Sequence, residues 1–194
     1  MNYVWALLLG YVLGAIPTSV LISKLCFHDD IRRHGSGNPG TSNMTRTYGY
    51  KYGVCVLVGD MLKGFLGAWI GSLLLGPNGL YYGGLAAVLG HNWPVFLKFR
   101  GGKGVATTMG VMMAILPWWT LLACALFALI LFTTRYFSLS SLVAILFLWG
   151  VTLIGYASNT TLFLFVTMLA LLIFIRHRSN IDRLLSGTEN KLGR

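Results

Sequence analysis

Apolar positions along this chain come in long continuous runs, without the alternation of a half-buried strand. Six stretches, residues 3–23, 53–75, 80–97, 105–134, 138–156 and 160–175, are almost free of charge. A run of about 20 residues, rising 1.5 Å per residue as a helix, crosses a bilayer. Five of the six read as one crossing each. Residues 105–134 are too long for one and short for two. The pattern predicts an all-α, polytopic integral membrane protein, with one domain over residues 1–194. Between the first two runs lies the opposite kind of sequence. In GSGNPGTSNMTR, residues 35–46, nine of twelve residues are Gly, Ser, Asn or Thr. A lipid-facing chain needs a reason for such a strip.

Composition agrees with the runs. Of 194 residues 56 % are hydrophobic and 10 % charged, where soluble domains carry about 25 %. Fifteen Lys and Arg against five Asp and Glu give a net charge of +10. In a soluble protein that would suggest nucleic acid; here the positive-inside rule explains it more simply, and phosphate-bearing substrates come second. No nucleic-acid partner is expected. Cys26, Cys55 and Cys124 are odd in number and lack metal-type spacing; two lie inside apolar runs, and all read as small buried apolar residues. No Lys or Arg precedes the first run, and a cleavable leader is not expected.

Charge placement resolves the long run. Lys24, Arg32, Arg33, Arg46 and Lys51 follow the first span, and Lys98, Arg100 and Lys103 follow the third. Arg176, Arg178, Arg183, Lys191 and Arg194 lie in the tail, whereas the connection Gly76-Pro77-Asn78-Gly79 has no charge. All basic segments share one side only if residues 105–134 are split near Pro117-Trp118-Trp119. That gives seven helices with the N-terminus outside and the C-terminus inside, and 14 of 15 basic residues cytoplasmic. Gly10 and Gly14, Gly67 and Gly71, and Gly79 and Gly83 are spaced for close helix approach. Packing within one chain is the simpler use of that spacing, a homodimer seam the other; a monomer is expected.

Two motifs fail on context. Gly35-Ser36-Gly37-Asn38-Pro39-Gly40 fits the dinucleotide pattern, with Asp60 20 residues on. That pattern must follow a strand and open a helix, and here membrane spans stand on both sides. Gly101-Gly102-Lys103-Gly104 resembles a phosphate loop, yet Gly104 stands where the Walker pattern needs Ser or Thr. What survives is the physics: glycines let backbone N–H groups converge on an anion. Either cluster alone reads best as a tight turn. Two on one membrane face, with Arg46 and Lys103 beside them, point to phosphate.

The tail adds His177, at the membrane surface, whose ordinary pKa of about 6.5 suits a proton acceptor. A basic cluster after a last span is otherwise a topology anchor. His177 and Asp182 also spell H-x-x-x-x-D, but five residues on a helix set them about 140° apart, and the match reads as accidental.

Three stretches together, GSGNPGTSNMTR, GHNWPVFLKFRGGKGVAT (90–107) and HRSNIDRLLSGTE (177–189), resemble the three motifs of the bacterial acyl-phosphate:glycerol-3-phosphate acyltransferases. The resemblance spans essentially the whole chain. Thr41-Ser42 stands where Ala-Thr is commoner and keeps a hydroxyl at the second position. The resemblance implies acyl transfer from acyl phosphate to the 1-hydroxyl of glycerol 3-phosphate. Lysophosphatidic acid and phosphate leave, in the first acylation of phospholipid synthesis at the cytoplasmic face of the inner membrane. No metal, nucleotide, CoA or other cofactor is expected.

It implies catalytic roles for Ser36, Arg46, Lys103, His177 and Asn180. Gly35, Gly37, Asn38, Gly40, Thr41, Ser42, Asn43, His91, Gly101, Gly102 and Gly104 would bind substrate. The strip is then polar because it cradles phosphate at a lipid boundary, Arg46 gripping with its fork and Lys103 facing a phosphate or the developing oxyanion. Acyl phosphate is already activated, so direct attack by the glycerol hydroxyl is preferred to a covalent Ser36 intermediate. Its proton goes to His177 or to the donor's own phosphate. Asp60 and Lys63, three apart on the second span, form a structural ion pair or support the site. His91 and Asn92 cap a helix end or touch substrate. The competing function is an organic-phosphate transporter, against which stand seven spans without equal inverted halves and charges gathered at one face.

Overall fold

A computed structural model describes residues 1–193. Among them every regular element is helical. The helices are α1 Asn2–Ala15, α2 Thr18–Phe27, α3 Thr41–Tyr48, α4 Tyr50–Leu75, α5 Gly79–Asn92, α6 Val105–Ile115, α7 Pro117–Thr134, α8 Phe137–Gly155, α9 Thr160–Arg176 and α10 Arg178–Leu185. Contacts divide the chain into two compact units, Met1–Ile115 and Leu116–Arg194.

Prolines set the boundaries that hydrophobicity alone misses. The expected first span at 3–23 is broken, because Pro17 has no N–H to donate and Ile16 leaves the helical conformation before it. The third apolar run does not stay helical to residue 97. It ends at Asn92, since Trp93 precedes Pro94 and the chain turns through a short 3-10 segment, Val95–Leu97. Within 105–134 the chain breaks at Leu116, and Pro117 takes the first helical position where its missing N–H costs nothing.

Four described segments are long and apolar enough to cross a membrane: Asn2–Phe27, Tyr50–Leu75, Pro117–Thr134 and Phe137–Gly155. The pair α9 and α10, bent by 63° at His177, makes a fifth. Large apolar side chains face outward, among them Leu73, Trp118, Phe132 and Ile154. Cys26 and Cys55 are exposed too and Cys124 is half-buried, against the expected burial, because a thiol is apolar enough to stand on an outward helix face. Buried positions hold Gly, Ala, Ser and Thr beside larger apolar residues such as Val111, Ile145 and Leu169. This is the distribution of a chain solvated by lipid, where small residues let helices touch.

In the first unit that contact is backbone on backbone. A methyl group on Gly14 would strike Ala87, one on Gly83 would strike Gly67, and one on Gly71 would strike Gly79. The four-residue glycine spacing is therefore occupied by packing of α1, α4 and α5 within the chain. Gly64 and Gly110 do the same between α4 and α6, against Thr107 and Met61. In the second unit α8 packs between α7 and α9.

Candidate active site

The first glycine loop, in the first unit, is tied from within. Asn43, on α3 and 1 % exposed, accepts the Ser36 N–H at 3.1 Å and donates to the carbonyls of Ile31 at 3.2 Å and His34 at 2.9 Å. Its amide thus holds the loop's own backbone. Gly35 and Gly37 take positive φ values of 53° and 69°, and any Cβ at Gly35 would run into the Asn43 oxygen. Below the loop, Val20, Ile31, Met44, Val56 and Leu97 form a small apolar core. Full burial of such side chains contributes about 1.5–3 kcal/mol each.

Ser36 is exposed, while Asn38, Ser42 and Arg46 are half-buried. Gly40 donates to the Asn38 carbonyl at 2.9 Å and caps α3. Thr41, the first helical residue, has a buried hydroxyl with no partner among the described residues, against the rule that buried polar groups pair.

Behind the loop, Tyr48 donates to Asp29 at 2.8 Å, and His34 contacts the same carboxylate. The Tyr48 bond holds the Asp29 carboxyl below its ordinary range. Burial, then the Asp29 contact, pushes the Tyr48 hydroxyl up to about 12. Arg32 clasps Asp30, at 2.6 Å in the shorter contact, and holds that carboxyl down at about 2.

The second glycine loop rests on the end of α5. Gly101 donates to the Asn92 carbonyl at 3.2 Å and Gly102 to the His91 carbonyl at 3.1 Å. These two amides therefore pair with α5, so the expected convergence of successive N–H groups on an anion is not formed by them. What the glycines supply is closeness: a Cβ on Gly102 would enter the His91 ring, and one on Gly101 the backbone of His91. Gly104, at φ 82°, passes close over the Asn92 side chain. Lys103, half-buried, projects between two glycines.

Beneath both loops lies the ion pair. Asp60 and Lys63, 2 % and 6 % exposed, meet at 2.8 Å. Lys63 also donates to the Ile16 carbonyl at 2.8 Å, at the turn made by Pro17. Thr18 donates to Asp60 at 3.0 Å, and the His91 Nδ1 stands 3.7 Å from the same oxygen. A cavity of about 10 Å³, room for one water-sized group, is lined by Pro39 of the first loop, Gly101 and Gly102 of the second, and Asp60, Lys63 and His91.

In the second unit, His177 ends α9 and is 2 % exposed. Its Nδ1 lies 2.8 Å from the Ile173 carbonyl. A carbonyl only accepts, so Nδ1 is the donor in this contact. Asn180 donates its backbone N–H to the His177 carbonyl at 2.8 Å and its side-chain amide to Glu189 at 2.7 Å. Ser138 donates to the same Glu189 oxygen at 3.0 Å, and Arg183 to the other at 2.8 Å. Burial raises the Glu189 carboxyl, but the three donors outweigh it and the group sits below its ordinary range. Thr18, Ser138 and Glu189 received no role from the sequence. An intramembrane Asp demands donors, which hints that partners exist for Asp60 without saying which.

Comparison with known proteins places this architecture. The model of a family described as glycerol-3-phosphate acyltransferase matches residues 4–187. A glycerol-3-phosphate acyltransferase of Thermoanaerobacter sp. (strain X514) is 42 % identical over 193 residues, covering 100 % of this chain and 97 % of the relative. One from Geobacillus kaustophilus (strain HTA426) is 46 % identical over 186 residues, covering 96 % and 94 %. Among solved structures, the glycerol 3-phosphate form of PlsY (YgiH), an integral membrane glycerol 3-phosphate acyltransferase, is similar with a TM-score of 0.90 at 38 % identity. It covers 100 % of this chain and 96 % of that one. The lysophosphatidic acid form of the same protein gives 0.88. With matches running nearly end to end in both sequence and fold, this multi-pass membrane chain belongs to the glycerol-3-phosphate acyltransferase family.

Proposed function

We propose that this enzyme transfers a fatty acyl group from acyl phosphate to the 1-hydroxyl of glycerol 3-phosphate. One observation carries the reading: Pro39 of the first glycine loop and Gly101 and Gly102 of the second line the same small cavity in the first unit. Each loop brings a cation, Arg46 or Lys103, and both substrates carry phosphate. The buried, unpartnered Thr41 hydroxyl at the start of α3 suits an anion at that helix end.

In this mechanism the glycerol oxygen attacks the acyl carbonyl, the carbon–oxygen bond to phosphate breaks, and inorganic phosphate leaves. Lys103 faces the developing oxyanion or a phosphate, and Arg46 grips phosphate with two parallel donors. Ser36, Asn38, Thr41 and Ser42, with Gly35, Gly37 and Gly40, line the phosphate cradle; Asn43 keeps it in shape. The third motif contributes His177 and Asn180, with the proton passing to His177 Nε2 or to the donor's phosphate.

The whole chain, 1–194, serves as one functional domain in the bacterial inner membrane, acting as a monomer without cofactor. Its seven-span arrangement, N-terminus outside, rests on charge placement. Helices α5 and α6, with 14 and 11 residues, are shorter than a full crossing, which local thinning of the bilayer accommodates.

Purified protein given acyl phosphate and glycerol 3-phosphate should release lysophosphatidic acid and phosphate in equal amounts. Acyl-CoA in the same assay should not replace the donor. Comparable turnover with acyl-CoA would overturn the donor assignment. Uptake of glycerol 3-phosphate into sealed vesicles without chemical change would favour transport.

A further inference from the structure

The Asp60–Lys63 pair has no part in the chemistry just described, yet it is wired toward the second loop. A buried pair that only joined helices would be complete with Lys63 on Asp60, and with Lys63 donating to the Ile16 carbonyl. Asp60 goes further. The oxygen that receives Lys63 at 2.8 Å and Thr18 at 3.0 Å also stands 3.7 Å from His91 Nδ1. The far side of that imidazole is where Gly102 lies, so close that a Cβ would overlap Nε2, and the His91 carbonyl takes the Gly102 N–H. Lys103 is the next residue.

We propose that Asp60 is a positioning residue for this enzyme. Its carboxylate fixes the His91 ring, Gly102 rests on that ring, and the ring thereby sets where Lys103 presents its ammonium. The inference rests on the proposed function, in which Lys103 meets a substrate charge. It explains why Gly occupies position 102: a side chain there would displace the imidazole from Asp60. It also explains the break at Pro17, which turns the Ile16 carbonyl toward Lys63 and lets Thr18 reach Asp60. A misplacement of about 1 Å at a reacting group is enough for losses near a hundredfold.

The test separates a charge pair that holds helices from one that holds His91. Asp60→Asn alone leaves a buried Lys63 charge and destabilises for that reason. The double variant Asp60→Asn/Lys63→Met removes both charges together, and Asp60→Glu keeps the charge but moves the carboxylate by one methylene. All are assayed with acyl phosphate and glycerol 3-phosphate beside the wild type. The expected result is a double variant that stays monodisperse in detergent and loses at least thirtyfold in kcat/KM. Asp60→Glu should lose at least fivefold with its thermal midpoint kept. His91→Gln should give a comparable loss, and adding it to the double variant should cost less than threefold more, because both act through one ring. Wild-type kcat/KM in the folded double variant or in Asp60→Glu would overturn the proposal, and so would fully multiplicative losses with His91→Gln. A wild type that turns over no acyl phosphate at all would strike the functional reading itself, which keeps the two failures apart.

Discussion

The side-chain oxygen of Asn43 accepts the backbone N–H of Ser36 at 3.1 Å, and the same amide donates to two loop carbonyls. The loop's shape therefore depends on one buried side chain. Asn43→Ala should lower stability by roughly 1–3 kcal/mol, the cost of leaving a buried polar group unpaired, and should reduce kcat/KM with it. Asn43→Asp keeps the acceptor for Ser36 but sets a carboxylate against the Ile31 and His34 carbonyls, and should be no better. Thermal unfolding and steady-state kinetics on the two variants check this; an Ala variant with wild-type stability would show the loop held by other means.

Arg46→Ala and Lys103→Ala should each cut kcat/KM at least a hundredfold, since a lost contact to transition-state charge is worth about 2.7–4 kcal/mol. Arg46→Lys should recover little, because an ammonium cannot make two parallel bonds. A folded alanine variant with near-normal activity would move phosphate binding elsewhere.

These predictions rest on features of unequal legibility. Helices and their lipid-facing character were plain in the apolar runs, because lipid solvation demands nothing subtler than hydrophobicity over enough length. Pro117 marked its own helix break. Pro17 and Pro94 had the same chemistry but stood at the edges of apolar stretches, where hydrophobicity hid them. The glycine-spaced positions announced close packing; which helices they joined required the fold. Asp60 and Lys63 were recognisable as a pair from their spacing, whereas the reach to Thr18, Ile16 and His91 joins residues 42, 44 and 31 positions distant from Asp60 in sequence. The amides of Gly101 and Gly102 looked available for an anion, and only the packing on α5 reveals their partners. The same holds for Glu189, whose three donors come from α8 and α10.

Glu189 gives a pH prediction with a defined sign. Its folded carboxyl lies below the ordinary value of 4.5. The stabilisation it provides is complete above that ordinary value and is lost as pH falls through the lower folded one. The segment after α10 should therefore loosen in acid, seen as faster tryptic cleavage after brief acid exposure or as lower thermal stability. Glu189→Gln removes the ionisable group, so it should be weaker at neutral pH and nearly insensitive to acid. An equal acid response in wild type and Glu189→Gln would assign the effect to another group.

Orientation is read from single cysteines introduced after Cys26, Cys55 and Cys124 are replaced. Asn78→Cys and Trp118→Cys should react with an impermeant thiol reagent in intact cells; Arg135→Cys should react only after lysis. Labelling of Arg135→Cys from outside would defeat the seven-span arrangement, because the side of this residue is what the split at Pro117 decides.

His177 separates the two routes for the proton. Its Nδ1–H is held by the Ile173 carbonyl at 2.8 Å, which fixes the ring. If Nε2 takes the glycerol proton, His177→Gln should lose about 10²–10⁴ in rate, and the acidic limb of the pH profile should vanish with it. If the donor's phosphate takes the proton, His177 serves to position substrate. Gln can still offer a hydrogen bond from that place, so it should retain much of the activity that His177→Ala loses, and the acidic limb should persist. The second outcome is expected, because an activated mixed anhydride asks little of a base. Comparing kcat/KM against pH for wild type, His177→Gln and His177→Ala in one detergent decides the matter. An Ala variant with full activity and an unchanged profile would leave His177 only the task it visibly has, ending α9 and turning the chain into α10.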